Sequence, residues 1–217
     1  MWRGCEKGDD EVRRDKTNMR ENVHHVFAWL ETELEWIDEK WKAYLQLSNH
    51  TQLDLFESIA CDFFAMCKEV MGHDVVLALC RFTDRAETCG RQNTTLERLV
   101  NEVRASGDQK LVEILEPLLN QVKLTCRPLR TYRNRRLGHN DLKACLKIQE
   151  QVVPGVDYAT IEQCLKTIEQ MMQQVLLYYD GIATEFCTHS DEAVKELIWK
   201  LRRLVELDPL TKSPHTD

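Results

Sequence analysis

The stretch VHHVFAWLETELEWIDEKWKAYLQL, Val23 to Leu47, decides how this chain folds. Its apolar residues Val23, Phe27, Leu30, Leu34, Ile37, Trp41 and Leu45 recur at intervals of three and four, the period of a long helix with one buried face. The same rhythm returns downstream. Thr51 can cap a second helix, over 52–86, through LFESIACDFFAMCKEVMGHDVVLALCRFTDRA, with a bend near Gly72. The polar loop ETCGRQN follows, and TTLE places Thr94 and Glu97 in a capping-box pattern before a short helix ending near Ala105. Another helix opens near Asp108 and runs to 136, with Leu111, Leu115, Leu118, Val122 and Leu129 inward and Pro117 and Pro128 as bends. Beyond the VVPGV loop, Ile161, Leu165, Ile168, Met172, Val175, Tyr179, Ile182 and Phe186 mark a helix over 158–187. Ser190 or Asp191 then starts a last helix, to 207, carrying Ala193, Leu197, Leu201 and Leu204.

No segment alternates apolar and polar residues between turn signals, so no sheet is expected. The reading is an all-α helical bundle of four main helices, with the 94–105 and 191–207 helices as additions. Residues 18–189 form the bundle domain, 190–207 an appended helix, and 1–17 and 208–217 polar tails. A hydrophobic share of 43%, with only 8 Gly and 5 Pro in 217 residues, suits a compact helix-rich domain.

The N-terminus has no apolar core of a signal peptide, and no apolar run approaches the roughly 18 residues that span a bilayer. A soluble cytoplasmic protein with no membrane partner is expected. Nine cysteines, an odd number without a C-x-x-C pair, point to reduced thiols rather than disulfides or structural zinc. Cys187 and His189 are a conceivable nucleophile and base, although buried inert thiols are far commoner. Glu21 and His24 form one E-x-x-H, whereas a di-iron bundle needs two such pairs and two further glutamates. No glycine-rich phosphate cradle is present, so no metal or cofactor is expected. Trp29, Trp36, Trp41, Phe63 and Phe64 sit at helical spacing and read as core or dimer packing rather than base-stacking platforms.

A formal charge of -7 argues against recruiting nucleic acid by bulk attraction. The stretch CRPLRTYRNRRLGHNDL, Cys126 to Leu142, runs the other way, with five arginines in ten residues. Between Arg127 and Lys147, seven basic residues face Asp141 alone; this window carries +6, so the remainder carries -13. Charge that local marks a site. Arg133 lies one turn beyond Leu129, beside the apolar stripe, where a guanidinium is costly unless an anion meets it. In an unbroken helix His139 would point about 120° away from Arg133. Gly138, as a C-cap glycine, would let the chain leave the helix and bring the histidine back. A solvated helix end with His139 as its cap accounts for the same residues, because basic groups stabilise helix C-termini.

Arg133, Asn134 and His139 form the pattern R-polar-x-x-x-x-H, which resembles the ribonuclease motif of the HEPN superfamily. Arg20 and His25 match the bare spacing, but only the second match has Asn after Arg, a helix stop and basic surroundings. VVLALCRFTDRAETCGRQNTTLERLV, RTYRNRRLGHNDL and VPGVDYATIEQCLKTIEQMMQQVLLYYD resemble, in order, three blocks of the abortive-infection, AbiU-like branch, over about two-thirds of the chain. One departure is Gly138, where that pattern has alanine.

The resemblance implies a HEPN-like bundle and metal-independent RNA cleavage at a site formed by two subunits of a homodimer. It implies a toxin-like effector of bacterial antiviral defence, with an antitoxin or other defence protein as a possible partner. His139 would exchange the proton of the ribose 2′-OH, since an imidazole titrates near neutral pH. Arg133 would hold the phosphate, Asn134 would orient the phosphate or the histidine, and Arg130 and Arg136 would line the RNA path. A related bundle can instead serve as a non-catalytic dimerisation or nucleotide/RNA-binding module.

Overall fold

Apolar period becomes helix throughout the computed structural model, which describes residues 18–138, 156–182 and 192–207. The elements are α1 (Glu21–Leu47), a 3-10 turn (His50–Gln52), α2 (Leu53–Phe82), strands β1 (Glu87–Thr88) and β2 (Arg91–Gln92), α3 (Leu96–Ala105), α4 (Gln109–Thr125), α5 (Arg127–Tyr132), a π-helical turn (Arg133–Leu137), α6 (Tyr158–Asp180) and α7 (Glu192–Leu207). The architecture is the expected all-α bundle. The expectation of no strands needs correcting only for a hairpin of two residues a side. Among the described residues the chain divides into two compact units, one of 18–32, 81–128 and 156–182, the other of 33–80, 129–138 and 192–207.

In the first unit α4 packs along α6 and against α3. Leu111, Val112, Leu115, Leu119 and Val122 of α4 are buried, as are Ile161, Cys164, Ile168, Met171, Met172 and Val175 of α6. Each large aliphatic side chain so buried contributes about 1.5–3 kcal/mol. Leu119 takes the inward place expected of Leu118, which is only half-buried. The Asp108 carboxylate accepts from the Tyr179 hydroxyl at 2.5 Å and the Tyr178 hydroxyl at 3.3 Å, pinning the start of α4 to the end of α6. Burial, reinforced by Asp108, pushes the Tyr179 hydroxyl pKa up and keeps it a donor. Asp157 caps α6 by accepting from the Thr160 N–H at 2.6 Å. Gly181 ends it in the left-handed conformation, φ 67°, seven residues short of the expected 187. Ile182 is therefore exposed, and Phe186 lies outside the described residues.

The cap of α3 is Thr95 rather than Thr94: its hydroxyl accepts from the Arg98 N–H at 3.2 Å. Glu97 closes no capping box. Its carboxylate accepts from the Ala86 N–H at 2.7 Å and from Lys123 Nζ at 2.8 Å, tying the segment before the hairpin to α4. The β1–β2 turn is Cys89–Gly90, with φ 51° and 75°, the two positive values that a tight hairpin of this twist requires.

In the second unit the α1 stripe is buried through Leu34, Ile37 and Trp41, then shifts to Ala43 and Leu47, leaving Leu45 half-buried. Leu47 packs with Phe56 of α2 and Ile198 of α7, with Val194 and Leu201 alongside. Ile198 thus replaces the expected Leu197, and Leu204 is exposed. Asn49 does the capping expected of Thr51, its side-chain oxygen accepting from both the N–H and the hydroxyl of Thr51 at 3.0 Å. The break in α2 falls at Ala60, φ -164° and ψ 69°, not at Gly72. Gly72 serves proximity instead. A Cβ there would stand 3.1 Å from the Tyr44 ring, which stacks on Trp41 with centroids 5.2 Å apart.

The helix expected over 108–136 is three segments. Pro128 has no N–H to offer the carbonyl four residues back, so α4 ends at Thr125 and the chain restarts as α5.

The hydrogen bond from Lys123 is the main cause holding the Glu97 carboxyl below its ordinary value of 4.5. A lowered folded pKa contributes stability above the unfolded pKa, and that stability is lost as pH falls through the folded value. Glu97→Gln should therefore cost about 0.5–1 kcal/mol at pH 7, the low end for charge-assisted hydrogen bonds because the pair is partly in water. In urea unfolding the gap from wild type should close as pH drops below 4.5. A gap that persists in acid would show that the carboxylate charge is not what matters.

Candidate functional site: an arginine turn seated on α2

The arginine segment is held by α2. Arg130 is half-buried, and its Nη2 donates to the Cys80 carbonyl oxygen at 3.4 Å. The Tyr132 hydroxyl lies 3.2 Å from His73 Nε2. His73 and Cys80 stand seven residues apart, two turns of helix, and so share a face. Neither His73 nor Tyr132 announced this role in the sequence; only that spacing hints at it.

Beyond Tyr132 the helix widens. The Gly138 N–H donates to the Arg133 carbonyl oxygen at 2.7 Å, an i to i+5 closure that makes Arg133–Leu137 a π turn. Such turns are rare and concentrate at functional sites. Gly138 has φ -88° and ψ -28°, so it does not adopt the left-handed conformation of a C-cap glycine, and the expected mode of leaving the helix is corrected. Among the described residues, a Cβ on Gly138 would meet only the Arg133 carbonyl oxygen, at 3.4 Å. The alanine of the family pattern fits this backbone.

Arg133 and Asn134 do come together, Arg133 Nε donating to Asn134 Oδ1 at 3.1 Å, which fixes the guanidinium plane. Arg133 is half-buried, while Asn134 and Arg136 are exposed. His139 lies outside the described residues, as do Cys187 and His189. The structure places the residue before His139, tied to the carbonyl of Arg133. The competing pair is arranged differently: Arg20 immediately precedes α1 and His25 lies within it, both exposed. Five helical positions set them about 140° apart.

Of the five aromatics read as packing, Trp41 is buried and Phe64 half-buried, but Trp29, Trp36 and Phe63 are exposed. Phe63 is 55% exposed, Met66 55% and Val70 61%, at intervals of three and four on α2 beyond its Ala60 break. Continuing that interval leads to His73. Among the described residues no three His, Cys, Asp or Glu side chains gather to hold a metal, and no helix is long and apolar enough to cross a membrane. The described cysteines are free thiols, with Cys126 and Cys164 Sγ atoms 3.3 Å apart in the first-unit core.

The AbiU2 model of the HEPN families matches residues 20–202, from the start of α1 into α7. No curated protein and no solved structure matches the chain.

Gly138→Ala tests the right-handed turn. Alanine at a glycine site of compatible backbone should stabilise by about 0.4–1 kcal/mol in denaturant unfolding, through the unfolded chain. A loss of similar size would mean that Gly138 needs a positive φ.

Proposed function

The chain belongs to the AbiU2 family of abortive-infection HEPN proteins, and on that premise we propose that it is a metal-independent endoribonuclease acting as a homodimer. The wider role is a cytoplasmic, toxin-like effector of bacterial antiviral defence, restrained by an antitoxin or another defence protein. One observation carries the reading: the peptide leading into His139 is hydrogen-bonded to the backbone of Arg133, whose guanidinium Asn134 orients. Phosphate-binding arginine and orienting amide thus come from one short, tied segment, and His139 is the next residue in sequence.

The chemistry needs three acts. The His139 imidazole takes the proton of a ribose 2′-OH, and that oxygen attacks the adjacent phosphorus. Arg133 stabilises the charge gathering on the phosphate oxygens. The 5′-oxygen leaves with a proton from a second imidazole, and the product is a 2′,3′-cyclic phosphate. One motif supplies one histidine, so the second comes from another copy. Arg136, exposed on the turn, and Arg130, anchored to Cys80, bracket Arg133 along the RNA path. The surface that receives the second copy is the α2 stripe of Phe63, Met66 and Val70. Exposed apolar patches of this kind mark interfaces, and this one leads along its own helix to His73, which holds Tyr132 beside Arg133.

Purified protein should cut single-stranded RNA in excess EDTA and spare DNA, which lacks the 2′-OH. His139→Ala should lower the rate at least about 100-fold, Arg133→Ala nearly as much, and His25→Ala little. If wild type and His139→Ala bind RNA equally and neither cuts any RNA tested, the non-catalytic binding module is the better reading.

Light scattering should give a dimer at tens of micromolar, and Phe63→Asp with Val70→Asp should give a monomer, folded by circular dichroism, that has lost cleavage. A dimer that survives both substitutions would place the interface elsewhere.

A further inference from the structure

Beside the hairpin the first unit carries an open cleft of about 440 Å³, lined by Trp29, Arg81, Asp84, Gln92, Asn93 and Thr94 among others. The size falls within the range of about 300–1,000 Å³ typical of small-molecule sites. None of these residues belongs to the arginine turn.

The wall of this cleft is held unusually firmly for a segment that buries so little. Asn93 Nδ2 donates to the Arg85 carbonyl oxygen at 2.9 Å and to Thr88 Oγ1 at 3.1 Å, and the Asn93 N–H donates to the Ala86 carbonyl oxygen at 2.8 Å. Arg98 Nη2 donates to that same oxygen at 3.1 Å, while Glu97 holds the Ala86 N–H. Both strands are exposed on both faces, so the hairpin adds nothing to the core. A surface fixed in advance loses less freedom on binding, which is what a recognition site requires.

The lining specifies the ligand's chemistry. Trp29 presents an indole 45% exposed, a flat face suited to stacking. Arg81 is exposed and forms no ion pair among the described residues, so it offers one cation. Asn93 has committed its amide hydrogens and keeps its carbonyl oxygen as an acceptor, while Gln92 and Thr94 add donors and acceptors at the surface. An apolar ligand would strand these polar groups. A neutral sugar would leave Arg81 unmet, and an inorganic anion would leave the Trp29 face unused. A planar base with hydrogen-bonding edges, joined to a single phosphodiester charge, meets every group.

We propose that this cleft binds one nucleotide unit, its base stacked on Trp29 and its phosphate on Arg81, as a subsite for single-stranded RNA that shares no residue with the arginine turn. The choice of RNA as the source of that nucleotide rests on the ribonuclease reading above.

Binding is measured on the full chain with a 2′-O-methyl RNA decamer, which cannot be cut through its 2′-oxygen, and in parallel with AMP. Trp29→Ala should weaken decamer binding about tenfold, and Trp29→Phe should restore part of it, since stacking survives in phenylalanine. Arg81→Gln should weaken binding and lower the salt slope by about one. Circular dichroism should show both variants folded. AMP binding with the same sensitivity would support the cleft while identifying a free nucleotide as its source; decamer binding alone identifies the strand. Decamer and AMP affinities unchanged in Trp29→Ala and Arg81→Gln, with Arg133→Ala still weakening the decamer, would overturn the proposal. If Trp29-dependent binding persists in a protein that cuts no RNA, the ribonuclease reading fails and the cleft stands.

Discussion

The first unit depends on the dry contact of α4 against α6. Leu111, Leu115 and Val122 on one helix and Ile168, Met172 and Val175 on the other are buried essentially completely. The polar ties are arranged around that contact. Asp108 and Tyr179 fasten one end, and Glu97 and Lys123 connect α4 to α3 and the segment before the hairpin. These ties set geometry more than they add stability, because charged pairs with much of their surface in water contribute little on their own. The firmness of the hairpin wall is thus an extension of the core: Glu97 holds Ala86 in place because Lys123 and α4 hold Glu97.

The second unit solves a different problem, seating arginines on a helix in a chain that is acidic elsewhere. A half-buried guanidinium must find hydrogen-bond acceptors. Arg130 finds the Cys80 carbonyl, and Arg133 finds Asn134. The π turn follows from the same segment. Closing Gly138 onto the Arg133 carbonyl, rather than onto a residue one nearer, inserts an extra residue into the turn and keeps the approach to His139 bonded to the arginine backbone.

Pro128 and Gly72 show how residues that look alike in sequence act differently. Pro128 interrupts the helix through its own covalent structure, whereas Pro117, also expected as a bend, lies inside an unbroken α4. Gly72 leaves its helix intact and acts on Tyr44, twenty-eight residues earlier, by lacking a side chain. Membership of the HEPN AbiU2 family covers both units, so the match records a chain built as a whole around these helices rather than a motif attached to an unrelated scaffold.

Sequence by itself determined what is local. Helix period, the Pro128 interruption and the adjacency of Arg133, Asn134 and Gly138 depend on residues within a few positions of one another, and all were legible. Tertiary structure decided which of two neighbouring side chains faces inward, as with Leu119 over Leu118 and Ile198 over Leu197. Periodicity locates a helix face only to within about one residue, and the partner helix selects the rest. It also drew Glu97 away from its capping box, moved the break in α2 to Ala60, and left Trp29, Phe63, Met66 and Val70 in solvent. The physical reason is common to all of them. Each outcome turns on the position of a group distant in the chain or on the absence of a covering one, and neither is encoded in local spacing.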